Sequence, residues 1–305
     1  MISQNKPKIS VITVVKDDEK GLAITANSVL SQEFKDFEWV IVDSSTNKNS
    51  ILRGHNLEDL SFVRVLHQIP KGIYPAMNFA VENSSGQWLW FINAGDVFLS
   101  KQSMSYMASQ ISTNEQLGII ACAVVQVTDL GYFYSYCVPR LDSFLNYVVA
   151  NFHHQGTLIN TRWFLESGGY DESLRFASDG KILDSIAQKS TVAFSEKALV
   201  GFKLGGLSGL NLRQTLAEIA SYRPPNESEK TKSFLIVKNF LRIRLLRIEK
   251  FMITKLYLEL REKKNLRVFG LSNFLSEESI SDKKRNRGFF FHLVDVSKEI
   301  DDPKR

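Results

Sequence analysis

Residues 87–98 read QWLWFINAGDVF. Trp88, Leu89, Trp90, Phe91 and Ile92 form an unbroken apolar run, and Asn93-Ala94-Gly95-Asp96 stops it before Val97 and Phe98 resume. A short apolar run rich in aromatic residues and bounded by turn residues predicts a buried strand covered on both faces. A carboxylate at the far end of such a strand is badly placed for packing alone. In open α/β sheets ligands collect outside the carboxyl ends of the strands, so Asp96 either faces a ligand or merely closes a turn.

The chain upstream carries the same pattern. Ile9 to Val15 reads as a first strand, and Gly21 to Gln32 places Leu22, Thr25, Ala26, Val29 and Leu30 on one helical face. EWVIVD (38–43) is a second strand that also ends in a carboxylate, Asp43, and Phe62 to Leu66 is a third. IPKGIYPAMNFAVENSSG (69–86) supplies a turn and a helix: Gly72 loosens the backbone, and Pro75 sits in the first helical turn, where its missing N–H is no loss. Strands alternating with helices at this rhythm imply right-handed crossovers and a mostly parallel sheet, an α/β fold. Parallel strands bring their carboxyl ends together, so Asp43 and Asp96 should share one cleft with Val15-Lys16-Asp17 and the KGIY turn. Two such acids suit a nucleotide. One accepts hydrogen bonds from base or ribose, and the other reaches a diphosphate through a divalent metal, for which oxygen ligands favour Mg2+ or Mn2+.

Downstream, 101–111 reads as a helix, 117–127 as a strand and 128–137 as a hairpin around Gly131. Leu141 to Asn151 reads as a helix, HHQGTLIN (153–160) as a strand, and RWFLESGGYDESL (162–174) as a short helix and turn. SDGKILDSIAQKS (178–190) is a helix with Asp179 near its N-terminus, and TVAFSEKALVGFKLGG (191–206) a strand. After Pro224-Pro225 the character changes. Residues 233–264 mix Leu, Ile and Phe with repeated Lys and Arg, which fits either a basic amphipathic helix on an anionic membrane surface or a long helix packed on its own domain.

Composition narrows the class. At 305 residues, 44% hydrophobic and 23% charged, the chain has the make-up of a soluble globular protein and the length for a main domain with an appendage. The net charge is only +5, and residues 1–200 hold no basic tract with interleaved aromatics, which argues against nucleic acid as a partner. Cys122 and Cys137 are too few and too far apart for a disulfide scaffold or a CxxC motif, and read as reduced, buried thiols of a cytoplasmic protein. The apolar segment ending at Val15 is too short for a signal peptide, and no run of about 18 apolar residues predicts a membrane span. KDDEKG stands after the first strand where a dinucleotide enzyme would carry GxGxxG, which argues against a nicotinamide cofactor.

ISVITVVKDDEKGLAITANSVLSQEFKDFEWVIVDSS, PKGIYPAMNFAVENSSGQWLWFINAGD, HHQGTLIN and GGYDESLRFASDGKILDSI, in this order, resemble the family 2 glycosyltransferases, over residues 7–210. Similar bacterial enzymes build O-antigen, capsule or exopolysaccharide. The resemblance implies a GT-A fold: a Rossmann-like, mostly parallel central sheet flanked by helices, spanning 1–210, with 211–305 as a basic helical extension. It also implies that NAGD is a variant of the family's DxD-like metal motif, lacking an acid at Asn93, with Asp96 holding a divalent cation, Mn2+ or Mg2+, that bridges the donor diphosphate. Asp43 would contact uridine, the backbone of strand one at Thr13, Val14 and Val15 would line the base pocket, and Lys71, Gly72, Tyr74, Asn93, Ala94 and Gly95 would shape the donor site. The alternative for Asp43 is a strand-end acid capping the loop that follows.

By the same resemblance Asp179 matches the general base, with Asp171 or Glu172 as fallback; the alternative is an ordinary acid favoured by a helix N-terminus. His154 and Gln155 match a pair near the acceptor or metal, and Gly205-Gly206-Leu207-Ser208 a loop approaching the phosphates. Three departures stand out: Lys16-Asp17 where the family often has aromatic-Asn, Pro75 where it has Asp, and Gly180-Lys181 where it has Tyr-Asp. The resulting expectation is a cytoplasmic, metal-dependent, inverting glycosyltransferase. It would move a sugar from a nucleotide-sugar donor, a UDP-sugar, to a growing lipid-linked glycan, with 233–264 touching the inner face of the cytoplasmic membrane peripherally. The rival is a non-catalytic nucleotide-sugar-binding subunit of a polysaccharide assembly complex.

Overall fold

The computed structural model describes residues 6–46, 57–127, 133–144, 147–203 and 211–223. The Gly205-Gly206-Leu207-Ser208 loop, the basic segment 233–264 and the hairpin tip at Gly131 lie outside the described residues. The chain divides into two compact units, Met1–Thr215 and Leu216–Arg305; the second is described only to Arg223. Among the described residues no helix is long and apolar enough to cross a membrane.

Strand β1 (Ile9–Val15) shows why the apolar runs are continuous: all seven of its residues are buried. Side chains alternate across a strand. Ile9, Val11 and Val15 therefore join one core with Trp39, Ile41, Trp88 and Trp90, while Ile12 and Val14 join a second with Val40, Val42, Leu89 and Phe91. Helices α1 (Glu19–Leu30) and α3 (Ser103–Ser109) cover the first face through Leu22, Ala26, Met104 and Met107. Helices α2 (Ile73–Glu82) and α5 (Ser178–Lys189) cover the second through Met77, Ala80, Ile182 and Ile186. Trp39 and Trp90 are fully buried, and truncating either to alanine would cost ~3–5 kcal/mol.

The sheet has nine strands in the order β3 (Val63–His67), β2 (Phe37–Asp43), β1, β4 (Trp88–Phe91), β10 (Thr157–Asn160), β6 (Leu117–Val127), β11 (Thr191–Lys203) and β5 (Val97–Phe98), with β7 (Phe133–Cys137) also paired to β6. The expected parallel arrangement holds for β1 to β4 and for β6 with β11. β10, β5 and β7 run antiparallel to their neighbours. Helices α4 (Thr161–Glu166) and α6 (Leu212–Tyr222) complete the described elements outside the sheet, together with a hairpin.

That hairpin corrects one expectation. Leu141 to Asn151 is not a helix: β8 (Arg140–Phe144) and β9 (Tyr147–Asn151) form a separate antiparallel pair. Tyr147, Val148 and Val149 are strand-favouring residues, and α5 fixes the backbone, because Asp184 Oδ1 accepts a hydrogen bond from Ala150 N at 2.8 Å. HHQGTLIN is likewise strand only from Thr157; His154–Gly156 is a 3-10 turn held by Gly156 N donating to His153 O at 3.0 Å. A side chain at Gly156 would meet Val124 Cγ2 at 2.5 Å, so this turn can lie flat on β6 only with glycine there. Cys122 is buried as expected, and Cys137 is only half-buried.

Register then places the site. Val15 pairs with Asp43, Ile12 with Phe91, and Ala94 N reaches Val14 O at 3.4 Å. The carboxyl ends of β1, β2 and β4 therefore meet at one edge of the sheet.

Candidate active site

The stretch Asn93-Ala94-Gly95-Asp96 is the turn between β4 and β5. Gly95 has φ 96°, a region that side chains disfavour, and a Cβ there would lie 2.9 Å from Lys203 Cδ. The turn is stapled to α1 by Thr25, whose hydroxyl lies 2.8 Å from Asp96 O and 3.1 Å from Asn93 O and accepts from Gly95 N at 3.0 Å. Asp96 is 3% exposed, and its Oδ1 accepts from Lys203 N, at the end of β11, at 3.1 Å. Burial pushes the Asp96 carboxyl up to about 7, against the opposing pull of the Lys203 N–H, the His154 charge and the Gln155 side chain. Neither Thr25 nor Lys203 was marked by the sequence pattern. Thr25 reads there as one more position on the buried face of a helix, and Lys203 is distant in sequence.

Asp179 lies in the first turn of α5. Its Oδ1 accepts from the Tyr74 hydroxyl at 3.0 Å, and His154 Nδ1 lies 3.0 Å from its Oδ2. Burial opposes ionisation, yet the His154 hydrogen bond and charge, the Tyr74 hydroxyl and the Gly180 N–H outweigh it and hold the Asp179 carboxyl below the ordinary 3.8. The group is therefore an anion at neutral pH, the state a proton acceptor needs. On the far side of the imidazole, His154 Nε2 lies 3.5 Å from Asn93 Nδ2. Through its two ring nitrogens His154 links Asp179 to Asn93, and the three line up in one polar row. Gln155 adjoins both parts of the site: its main-chain O accepts from Trp90 Nε1 at 2.7 Å, and its side chain helps lower the Asp96 carboxyl against burial.

A cavity of about 760 Å³ opens beside this row. Val14, Val15, Lys71, Gly72 and Tyr74 line it, together with Lys16, which the sequence places at the same cleft, and with Ser44, Pro75 and the 172–175 loop, which it does not assign to the donor site, Glu172 standing only as a fallback base. Gly72 has φ 134° and opens α2. Thr13 does not face the cavity with its side chain: its hydroxyl donates to Ile92 O at 2.6 Å and accepts from Trp39 Nε1 at 2.9 Å, tying β1 to β4 and β2. Asp43 is 2% exposed, with Oδ1 accepting from Ser45 N at 2.8 Å, so it caps its own loop. Its Oδ2 is buried with no hydrogen-bond partner among the described residues, and His67 Nδ1 stands 3.7 Å off. The two fallback bases are committed elsewhere: Asp171 pairs with Lys181 at 2.5 Å, and Glu172 Oε1 accepts from Asn78 Nδ2 at 2.9 Å.

Asp17, one of the departures, has φ 52°; its N donates to Ser45 Oγ at 2.8 Å, and its carboxylate accepts from Thr46 N at 3.0 Å. It ties the β1–α1 turn to the loop after β2.

Fit to a divalent cation rests on one atom. Among the described residues no group of three or more His, Cys, Asp and Glu side chains gathers. Asn93 Oδ1, however, is buried without a hydrogen-bond partner among them, in the same turn as the Asp96 carboxylate. An orphaned amide oxygen beside a carboxylate is a donor set that suits a hard cation whose remaining ligands come from phosphate and water.

Comparison with known proteins agrees with this architecture. The mannosyltransferase PcManGT from Pyrobaculum calidifontis, solved with GDP-Man and Mn2+, superposes with a TM-score of 0.55 at 12% identity, over 73% of this chain and 67% of that one. TarS 1-349 from S. aureus, solved with UDP-GlcNAc, superposes with a TM-score of 0.55 at 18% identity, over 77% and 72%. At such identities the likeness is one of fold, the GT-A fold. In sequence, a PGL/p-HBAD biosynthesis glycosyltransferase from Mycobacterium bovis (strain BCG / Pasteur 1173P2) is 24% identical over 176 residues, 57% of this chain and 67% of the relative. Residues 10–163, from β1 through the first turns of α4, match the model of the family described as Glycosyl transferase family 2. The strand-end acids, the stapled NAGD turn and the His154-Gln155 turn all fall within that match, and the chain belongs to glycosyl transferase family 2.

Proposed function

We propose that this protein is a metal-dependent, inverting glycosyltransferase that uses a UDP-sugar as donor and extends a lipid-linked bacterial surface glycan. The observation that carries the reading is the Asp179 carboxylate, held anionic by Tyr74 and His154 beside a cavity of nucleotide size. In the reaction an acceptor hydroxyl oxygen attacks the anomeric carbon, its proton passes to Asp179, and the bond to the diphosphate breaks with its electron pair leaving on the phosphate oxygen. Asp96 and Asn93 would hold Mn2+ or Mg2+, which neutralises charge on the departing diphosphate. Val14, Val15 and Asp43 would meet the nucleoside, Lys16 and Lys71 the phosphates, and Gln155 would keep Asp96 in place.

In this reading 1–210 is the transferase domain and 211–305 a basic extension that brings the enzyme to the inner face of the cytoplasmic membrane, where a lipid-linked acceptor resides. Deleting 226–305 should then abolish salt-sensitive binding to anionic vesicles; equal binding by the shortened chain would sink the membrane part alone.

The donor is tested by thermal shift with UDP-, GDP-, CMP- and dTDP-sugars, with and without Mn2+, on wild type and Asp96→Ala. A ligand at 100 times its Kd adds about 2.7 kcal/mol of stability. A Mn2+-dependent shift with UDP-sugars that Asp96→Ala loses is expected. A shift with GDP-sugars instead would overturn the donor assignment. The rival, a non-catalytic binding subunit, draws on the near-complete burial of Asp96; binding of donor without any turnover would favour it.

A further inference from the structure

Tyr74 belongs to two surfaces at once. Tyr74 lines the cavity at the first turn of α2, while its hydroxyl donates to Oδ1 of Asp179 at 3.0 Å. The ring cannot swing freely. It is 4% exposed and packs on Tyr170 with centroids 5.3 Å apart, and Tyr170 in turn packs edge-on against Phe91 and Phe164. Burial and the neighbouring Asp179 charge raise the Tyr74 phenol far above its ordinary value, so it remains a donor at any working pH.

Oδ2 of Asp179 is meanwhile held by His154 Nδ1 at 3.0 Å. A carboxylate gripped at both oxygens, from α2 on one side and the His154 turn on the other, has a single orientation. With His154, Tyr74 and the Gly180 N–H as donors, a lone pair still remains for an incoming proton, and the side chain is 31% exposed, so a substrate can reach it.

We infer that Tyr74 is a positioning residue for Asp179: the side chain that borders the donor cavity also aims the group that takes the acceptor proton. The inference rests on Asp179 being the base in the proposed transfer. Misplacing a reacting group by about 1 Å can cost ~100-fold in rate, whereas loss of one hydroxyl from a cavity wall leaves most donor contacts in place.

The test is steady-state UDP release from a panel of UDP-sugars with Mn2+ and water as acceptor, for wild type, Tyr74→Phe, Tyr170→Phe and Asp179→Asn. Tyr170→Phe is the control, because the Tyr170 hydroxyl is buried with no hydrogen-bond partner among the described residues and sits in the same aromatic cluster. The inference expects kcat of Tyr74→Phe to fall at least about tenfold with donor KM within about twofold of wild type, and Tyr170→Phe to match wild type in both. An unchanged kcat in Tyr74→Phe, with Asp179→Asn inactive, overturns the inference and leaves the base intact. Equal losses in Tyr74→Phe and Tyr170→Phe also overturn it, since the effect is then one of packing. Activity retained by Asp179→Asn, or no release by wild type with any donor, brings down the underlying reading and the inference with it.

Discussion

The Thr25 hydroxyl, in the middle of α1, donates to the main-chain oxygen of Asp96 at 2.8 Å, seventy-one residues away in sequence. The Thr25 hydroxyl oxygen in turn accepts from Gly95 N at 3.0 Å, so one side chain meets both polarities of a buried turn. Replacing it by an isosteric apolar group leaves the buried Asp96 carbonyl short of a partner, at ~1–3 kcal/mol, while Gly95 N keeps Gly21 O at 3.0 Å. Thr25→Val should therefore lower the thermal midpoint and weaken Mn2+-dependent donor binding together, because the turn it holds carries Asn93 and Asp96. Calorimetry on the two proteins, with and without donor and Mn2+, checks this; loss of stability with donor affinity intact would show that the turn keeps its shape without the staple.

Gly95→Ala attacks the same turn from the backbone. At φ 96° a side chain is strained, and the new Cβ would press on Lys203 Cδ at 2.9 Å. Strain of this kind costs ~1–3 kcal/mol. The Lys203 side chain can yield where its backbone, bonded to Asp96, cannot, so the expected pattern is destabilisation in that range that Lys203→Ala partly relieves in the double variant. Denaturant unfolding of the four proteins of the cycle measures the coupling; strict additivity would separate the two residues.

Much of this is legible in the sequence. The continuous apolar runs of β1 and β2, buried on both faces and ended by an acid, are local signals, and they place the sheet edge where Asp43 and Asp96 sit. What sequence could not supply was partner choice across long separations. Asp43 was read as a nucleoside contact with loop capping as the alternative, and the geometry shows its Oδ1 capping Ser45 while Oδ2 is left without a partner. Thr13 enters the base-pocket reading through its backbone; what the sequence does not show is that its hydroxyl ties β1 to β4 and β2, through Ile92 O and Trp39 Nε1. The region 141–151 misled because Leu141, Phe144, Val148 and Val149 also satisfy a helical spacing; the decisive fact, Asp184 of α5 holding Ala150 N, is tertiary. Tyr74 was placed in the donor site by motif, and only packing shows its hydroxyl turned to Asp179.

The hydrogen bond from His154 predicts a pH effect with a definite sign. Burial raises the Asp179 carboxyl, and the His154 hydrogen bond leads the influences that bring it below its ordinary value. A base works only when ionised, so the limb of the kcat profile that belongs to Asp179 should appear only as pH drops through the Asp179 value, below the limb of the Asp96 carboxyl near 7. In His154→Phe burial is opposed by less, and the Asp179 limb of the kcat profile should move to higher pH. A limb that stays in place while kcat drops at all pH values would assign His154 to acceptor contact rather than to the charge on Asp179.

Lys181 stands where the resemblance leads one to expect an acid, and its partner explains what the exchange does. Its Nζ meets Asp171 Oδ2 at 2.5 Å, across the loop that contributes Glu172 to Arg175 to the cavity wall. The Lys181 hydrogen bond, helped by Ser173, pulls the Asp171 carboxyl from 3.8 down to about 2. A group whose folded value lies below its unfolded one contributes stability that is fully present above pH 3.8 and is lost as pH falls towards 2. Both side chains are substantially exposed, at 42% and 30%, so solvent screening limits the pair to ~0.5–1 kcal/mol. Lys181→Gln should therefore be less stable than wild type by about that amount at pH 7, with the gap closing by about pH 2 as Asp171 takes its proton. Urea unfolding at both pH values measures it. Because the pair braces a loop and leaves Asp179 untouched, kcat should change less than about threefold while donor KM rises; a collapse of kcat at constant KM would mean instead that Lys181 acts at the reacting centre, and that the replaced acid had been exchanged for a catalytic cation.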